Sequence, residues 1–168
     1  MMNNKLHPAA AVLERGEGRR FEFWGVRVNV LIRGSRIRGN YTIVEYIAPP
    51  TGMGPPVHYH RGMDESFYML EGRMNFIMGD KRIVAEAGDF FHVPPGLSHA
   101  FWNTSEEPAR MLVTFSPGGF EEFFADLAEI ATDFPVPNAE ARTRVASLDE
   151  KYDQIVVAPP PGRVTQRS

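Results

Sequence analysis

Two histidines one residue apart, His58 and His60, sit in the run V-H-Y-H. On a strand, side chains at i and i+2 share a face with Cα atoms about 6.5–7 Å apart, so both imidazoles can converge on one ion. Glu65 lies five residues beyond His60, an offset that faces the other way on an unbroken strand. The intervening R-G-M-D contains Gly62, where the chain can turn and reset the phase. Glu65 then begins the next antiparallel strand beside the histidines, with Asp64 pointing away. His99 follows the turn P-P-G-L-S and opens H-A-F-W-N, so it reaches the same point if a barrel closes its strand over the first pair. Three imidazoles and one carboxylate form a borderline N/O donor set that suits Fe, Mn, Co, Ni, Cu or Zn as a divalent ion. Such an ion holds and polarises an enol or phenol oxygen. Glu65, the set's only carboxylate, can detach and take a proton as general base. Singly these residues mean little: an H-x-H pair is commonly two polar groups on an exposed face, and a glutamate entering a strand is usually solvated. Their joint spacing makes the case.

The elements that must position them are short. From Phe21 to Ser116 the chain reads as β-branched and aromatic runs: F-E-F-W-G-V-R-V-N-V-L-I, Y-T-I-V-E-Y-I, E-S-F-Y-M-L, M-N-F-I-M, R-I-V-A, F-F-H-V, H-A-F-W-N and A-R-M-L-V-T-F. Gly, Pro, Asn and Asp punctuate them, and this regular spacing predicts an all-β sandwich or barrel. Gly79-Asp80 predicts a tight hairpin. After Pro117-Gly118-Gly119 the period changes. Phe120, Phe123, Phe124, Leu127 and Ile130 fall at helical spacing, with Glu121 and Glu122 in the first turn where the helix dipole favours them. A second helix is predicted from Asn138, a good N-cap, to about Tyr152. The expected layout is an N-terminal arm over 1–20, a β-barrel over 21–116, and C-terminal helices with a tail over 117–168.

Composition narrows the function. The 168 residues suit one domain. With 43% hydrophobic and 23% charged residues the chain is ordinary for a globular protein. The absence of cysteine excludes disulfides, zinc–thiolate sites and thiol catalysis. Net charge is -3, with Lys and Arg scattered, so nucleic acid is not an expected partner. The apolar run near the N-terminus is broken by Glu14 and Arg15, and no stretch approaches a membrane span. A cytoplasmic protein without membrane contact is the expectation.

Read together, Gly52, five residues, His58-Tyr59-His60, four residues, Glu65, six residues and Gly72 match the first sequence motif of the cupin family. Gly88, five residues, Pro94-Pro95-Gly96, two residues, His99, three residues and Asn103 match the second. The chain therefore resembles single-domain cupins, and more narrowly the quercetin-dioxygenase-like ones. The resemblance implies a double-stranded β-helix, or jelly-roll barrel, with a short helical appendage, and one divalent transition metal on His58, His60, Glu65 and His99. It makes Gly52, Gly72, Gly88, Pro94 and Gly96 turn formers. It implies oxidative cleavage of a flavonol or another enolisable aromatic; an oxygen-independent isomerase, cyclase or decarboxylase, or a non-catalytic ligand binder, are the alternatives. Strand parity puts Phe67 and Met69 on Glu65's face, Phe101 and Asn103 on that of His99, and Met74, Phe76 and Met78 on another shared stripe. Phe67, Met69, Phe76, Phe101 and Asn103 are the expected substrate-pocket residues, around a flat apolar small molecule. His92 reads as packing or rim and His7 as solvated. The N-terminal strands could extend a second subunit's sheet, so a homodimer is expected.

Overall fold

The computed structural model describes residues 13–14 and 17–161. His7 lies outside them, as does most of the arm over 1–20. The strands are β1 (Arg19–Phe23), β2 (Val26–Ile32), β3 (Thr42–Ala48), β4 (Val57–His60), β5 (Asp64–Glu71), β6 (Arg73–Met78), β7 (Lys81–Glu86), β8 (Phe90–Val93), β9 (His99–Trp102), β10 (Ala109–Ser116) and β11 (Gln154–Ala158). Helices α1 (Glu121–Asp133) and α2 (Ala139–Lys151) separate β10 from β11. Six strands form one sheet in the order β1-β2-β3-β10-β5-β8, and five form another in the order β11-β4-β9-β6-β7. All pairings are antiparallel. This is the double-stranded β-helix, with helices at its C-terminal end.

Period-two alternation places the core. Along β3, Thr42, Val44, Tyr46 and Ala48 turn inward, and along β10, Ala109, Met111, Val113 and Phe115 do the same. Phe67, Met69, Met74, Phe76 and Met111 fill the space between the sheets and are sealed from solvent.

The sequence expectations need three corrections. The run from Phe21 to Ile32 is a hairpin rather than one strand. Trp24 (φ 45°) and Gly25 (φ 85°) both take positive φ between Phe23 and Val26, which pair; that is the signature of the primed two-residue turns that match strand twist. The barrel strands begin at Arg19, inside the segment expected as an arm. Third, Gln154–Ala158 leaves α2 and returns to pair with β4, so the C-terminal segment contributes a barrel strand. The Gly79-Asp80 hairpin forms as expected, with Met78 opposite Lys81.

Helix α1 is anchored by its first residue. Glu121 is buried; its carboxylate accepts from Gly34 N (3.1 Å), from Gly119 N (3.0 Å) and from the Thr42 hydroxyl. Phe123, Phe124, Leu127 and Ile130 then turn into the core. In α2 the Asn138 side chain accepts from Ala141 N at 2.9 Å, as an N-cap does.

Candidate metal centre

His58 and His60 occupy alternate positions of β4 and both are buried. His99 opens β9 directly opposite His58, with ring centroids 4.3 Å apart. Glu65 stands on β5, which belongs to the other sheet. The turn Arg61-Gly62-Met63 therefore does not return the chain beside β4, as the sequence suggested. It carries the chain across the barrel, and Glu65 meets the histidines from the opposite wall. Asp64 points away, its carboxylate 3.4 Å from Nε2 of half-exposed His92. His92 also meets the Ser66 hydroxyl and lies outside the cluster.

One ligand atom from each of His58, His60, Glu65 and His99 lies within 4.8 Å of all the others. An ion bonded at about 2.0–2.2 Å to nitrogen and oxygen donors spans at most about 4.4 Å between opposite ligands. A contraction of a few tenths of an ångström thus suffices for coordination. The orientation of the rings is fixed from behind. His58 Nδ1 meets Pro56 O at 2.8 Å, His60 Nδ1 meets Asp153 O at 3.0 Å and His99 Nδ1 meets Leu97 O at 3.1 Å. A carbonyl oxygen only accepts, so Nδ1 donates in all three, and a neutral ring keeps its lone pair on Nε2. With Nε2 deprotonated, the three rings turn three such lone pairs toward one point together with a carboxylate. That is the arrangement in which metal-binding histidines are held by their second nitrogen.

The electrostatics point the same way. His60 Nε2 is buried with no hydrogen-bond partner among the described residues; Glu65 Oε2 stands 3.5 Å off. His99 Nε2 lies 2.9 Å from the same oxygen. Burial, then the charge of His99, pushes His58 down to about 3, so it is neutral and available as a donor. Burial pushes Glu65 up, but its contacts with His60 and His99 outweigh that and hold it down to about 2. Burial likewise opposes charging of His99, and the Glu65 carboxylate reverses this to raise it. A carboxylate that needs positive charge beside it, and an orphaned buried nitrogen, fit a cation at this point.

His58, His60 and Glu65 of the cluster line a cavity of about 760 Å³, within the range of small-molecule sites. Phe23, Trp24, Tyr46, Phe101, Phe115 and Phe120 supply much of its aromatic wall, and residues of α1, α2 and the 49–56 loop complete it. The loop lies so close to β9 that a Cβ on Gly54 would meet Phe101 O at 1.5 Å; only glycine fits.

Of the five expected pocket residues, Phe101 lines this cavity and Phe67, Met69, Phe76 and Asn103 do not. Phe67 is fully buried against His99 and Phe101, with centroids at 6.2 and 5.4 Å, and Phe76 packs behind it at 5.2 Å. These, with Met69, are core: the right face of their strands, but deeper in the barrel. Asn103 organises a turn. Its Nδ2 donates to Pro49 O (3.0 Å) and Glu107 O (2.8 Å), while Oδ1 accepts from Ser105 N (2.9 Å) and Oγ (2.7 Å).

Among the polar lining residues that escaped sequence reasoning are Tyr46, Asp149 and Gln154. Tyr46 could have been found from the alternation of β3. Burial, reinforced by the nearby Glu65 charge, raises its phenol, which stays protonated. Asp149 and Gln154 come from a helix and strand far from the motifs, and no local pattern marks them.

A jelly roll with three histidines and one glutamate gathered on its inner walls is the class that the fold and site define. Comparison with known proteins agrees. The cupin domain model (Cupin_2) matches residues 44–115. Quercetin 2,3-dioxygenase of Bacillus subtilis is 32% identical over 118 residues, covering 70% of this chain and 34% of that protein. The chain thus spans about a third of the length of that relative. Among solved structures, KdgF from Halomonas sp. superposes with a TM-score of 0.59 at 14% identity, over 67% of this chain and 98% of that one. A predicted oxalate decarboxylase from Thermotoga maritima gives 0.57 at 22% identity, over 64% and 99%. At such identities these structures speak for the fold. The chain belongs to the cupin superfamily. Among the described residues, no helix is long and apolar enough to cross a membrane.

Proposed function

We propose that this cupin is a metal-dependent dioxygenase acting on a small, flat, enolic or phenolic substrate of the flavonol kind. The observation that carries it is the placement of the His58, His60, Glu65 and His99 cluster at an apolar, aromatic cavity of about 760 Å³, with His58, His60 and Glu65 on its wall. The similarity to quercetin 2,3-dioxygenase supports the choice of substrate class. These four residues would hold one divalent transition metal, which when bound polarises a substrate enol or phenol oxygen and supports reaction with dioxygen.

The chain's own groups supply the rest. The phenylalanine and proline wall excludes water and stacks against an aromatic body. Glu65, ionised at neutral pH, accepts the proton leaving the substrate hydroxyl at its carboxylate oxygen. Tyr46, protonated and buried beside Phe101 at 5.3 Å, offers a hydrogen-bond donor to the oxygen that loses that proton. The experiment is metal analysis of protein purified without chelators, followed by oxygen uptake with a flavonol panel. Stoichiometric metal and substrate-dependent oxygen consumption are expected. The same product under strict anaerobiosis, or full turnover in zinc-substituted protein, would overturn the oxygenase reading in favour of an oxygen-independent isomerase, cyclase or decarboxylase.

A further inference from the structure

The cavity has a second polar pole. Glu65 and Asp149 are the two carboxyl groups on its wall, and Gln154 stands with Asp149. Both Asp149 and Gln154 are buried. Gln154 Nε2 donates to Asp149 Oδ1 at 2.6 Å, which fixes the amide's orientation. The atoms left over, Asp149 Oδ2 and Gln154 Oε1, are both acceptors; neither bonds to a described residue, and neither is sealed off, His60 Nε2 being the one fully enclosed polar side-chain atom without a partner among those residues. Gln154 is also the register partner of His60 across the β11–β4 pair. Directly opposed residues of an antiparallel pair lie about 4.5–5.5 Å apart at Cα and share a face. The pole therefore flanks the histidine cluster.

Two acceptors on the wall of an otherwise apolar chamber are open to a donor, and a ligand that brings one gains a hydrogen bond there. We propose that Asp149 and Gln154 form a second anchor, taking a hydroxyl or amine donor of a ligand whose first polar group lies at His58, His60, Glu65 and His99. The inference rests on the reading that a phenol or enol binds at that cluster, and it defines the ligand further: an apolar, flat body with polar groups on two sides, the second a hydrogen-bond donor.

The test uses the full chain loaded with zinc, so that no redox turnover intervenes, and calorimetric titration with 2-naphthol, its 1,6-, 2,6- and 2,7-dihydroxy relatives, and their monomethyl ethers. At least one diol is expected to bind about tenfold more tightly than 2-naphthol, as one added hydrogen bond to a carboxylate implies. Its methyl ether, which cannot donate at the second position, loses that gain. Asp149→Leu and Gln154→Leu abolish the gain while holding 2-naphthol within about twofold. Should no diol gain affinity, or should the ether keep the gain, the anchor does not exist and water fills its place; the ether comparison decides this in the wild type even if neither variant folds. If 2-naphthol bound equally well without metal, the reading of the histidine cluster as the phenol site would fail instead, and the diol–ether difference would still judge the Asp149 pole.

Discussion

His58, His60 and His99 share one device: a backbone carbonyl holds each Nδ1 proton and thereby aims Nε2 inward. Removing one ring takes a donor from the set but leaves the strand's backbone bonds in place. His58→Ala and His99→Ala are each expected to remove stoichiometric metal, read by elemental analysis, while the far-UV spectrum is unchanged. Asn103 is the contrasting case. It matches a motif position, yet three of its hydrogen bonds serve the turn between β9 and β10 and the fourth ties that turn to the Pro49 carbonyl. Asn103→Ala should destabilise the protein by about 2–4 kcal/mol, because buried carbonyls and an amide lose their partners; a denaturant midpoint unchanged from wild type would contradict this. The four clustered residues were legible because few residue types bind metals and their spacing is constrained by strand geometry. Pocket residues were less so: parity tells which face Phe67 and Phe76 occupy, but not how deep in the barrel the face lies. Tyr46 sits on the same kind of inward stripe and at the right depth, a distinction that only the closed barrel makes.

At the scale of elements, the C-terminal return does most to shape the site beyond the motifs. Asp153 joins α2 to β11 with φ 57°, a conformation that Asp and Asn tolerate better than other non-glycine residues. Its carbonyl accepts the His60 Nδ1 proton, and its carboxylate accepts from Arg61 N (2.8 Å) and Gly62 N (3.2 Å). One residue thus pins both a candidate ligand and the turn that carries the chain across to Glu65. Asp153→Ala is expected to lower metal affinity at least about tenfold, since disturbing such outer partners commonly costs that much. Asp153→Asn keeps the left-handed backbone and an acceptor oxygen, so it should recover most of the affinity. Competition titration with a chelating dye reads both; equal losses would mean that the carboxylate's charge, not its position, matters. Gln154–Ala158 was illegible for a physical reason. A five-residue run straight after a helix has too few residues to show a period, and only the open edge of β4 makes it a strand. The β1–β2 turn was hidden differently, by Trp24 in a positive-φ place where sequence favours Asn or Gly.

For the whole molecule, closure of the barrel by α1, α2 and β11 leaves open edges on β7 and β8, with Val84 and Phe90 exposed on them at 55% and 63%. We propose a homodimer that covers such surface; a mass near 18.9 kDa by light scattering at micromolar concentration would refute it. The same closure buries Asp149. Burial outweighs the bond from Gln154 and pushes its carboxyl up from 3.8 to about 6, so the folded chain holds this proton more tightly than the unfolded one. Stability from that difference is fully present below the unfolded value, near 3.9, and is lost as pH rises through about 6. Asp149→Asn cannot ionise and keeps an acceptor for Gln154. Its stability relative to wild type should therefore climb between pH 4 and pH 8, by on the order of 1 kcal/mol once solvent reaching the cavity is discounted. Urea unfolding of both proteins across that range measures the difference directly. A flat difference would mean that Asp149 ionises as freely in the folded barrel as in the unfolded chain, and that its burial does not hold the proton.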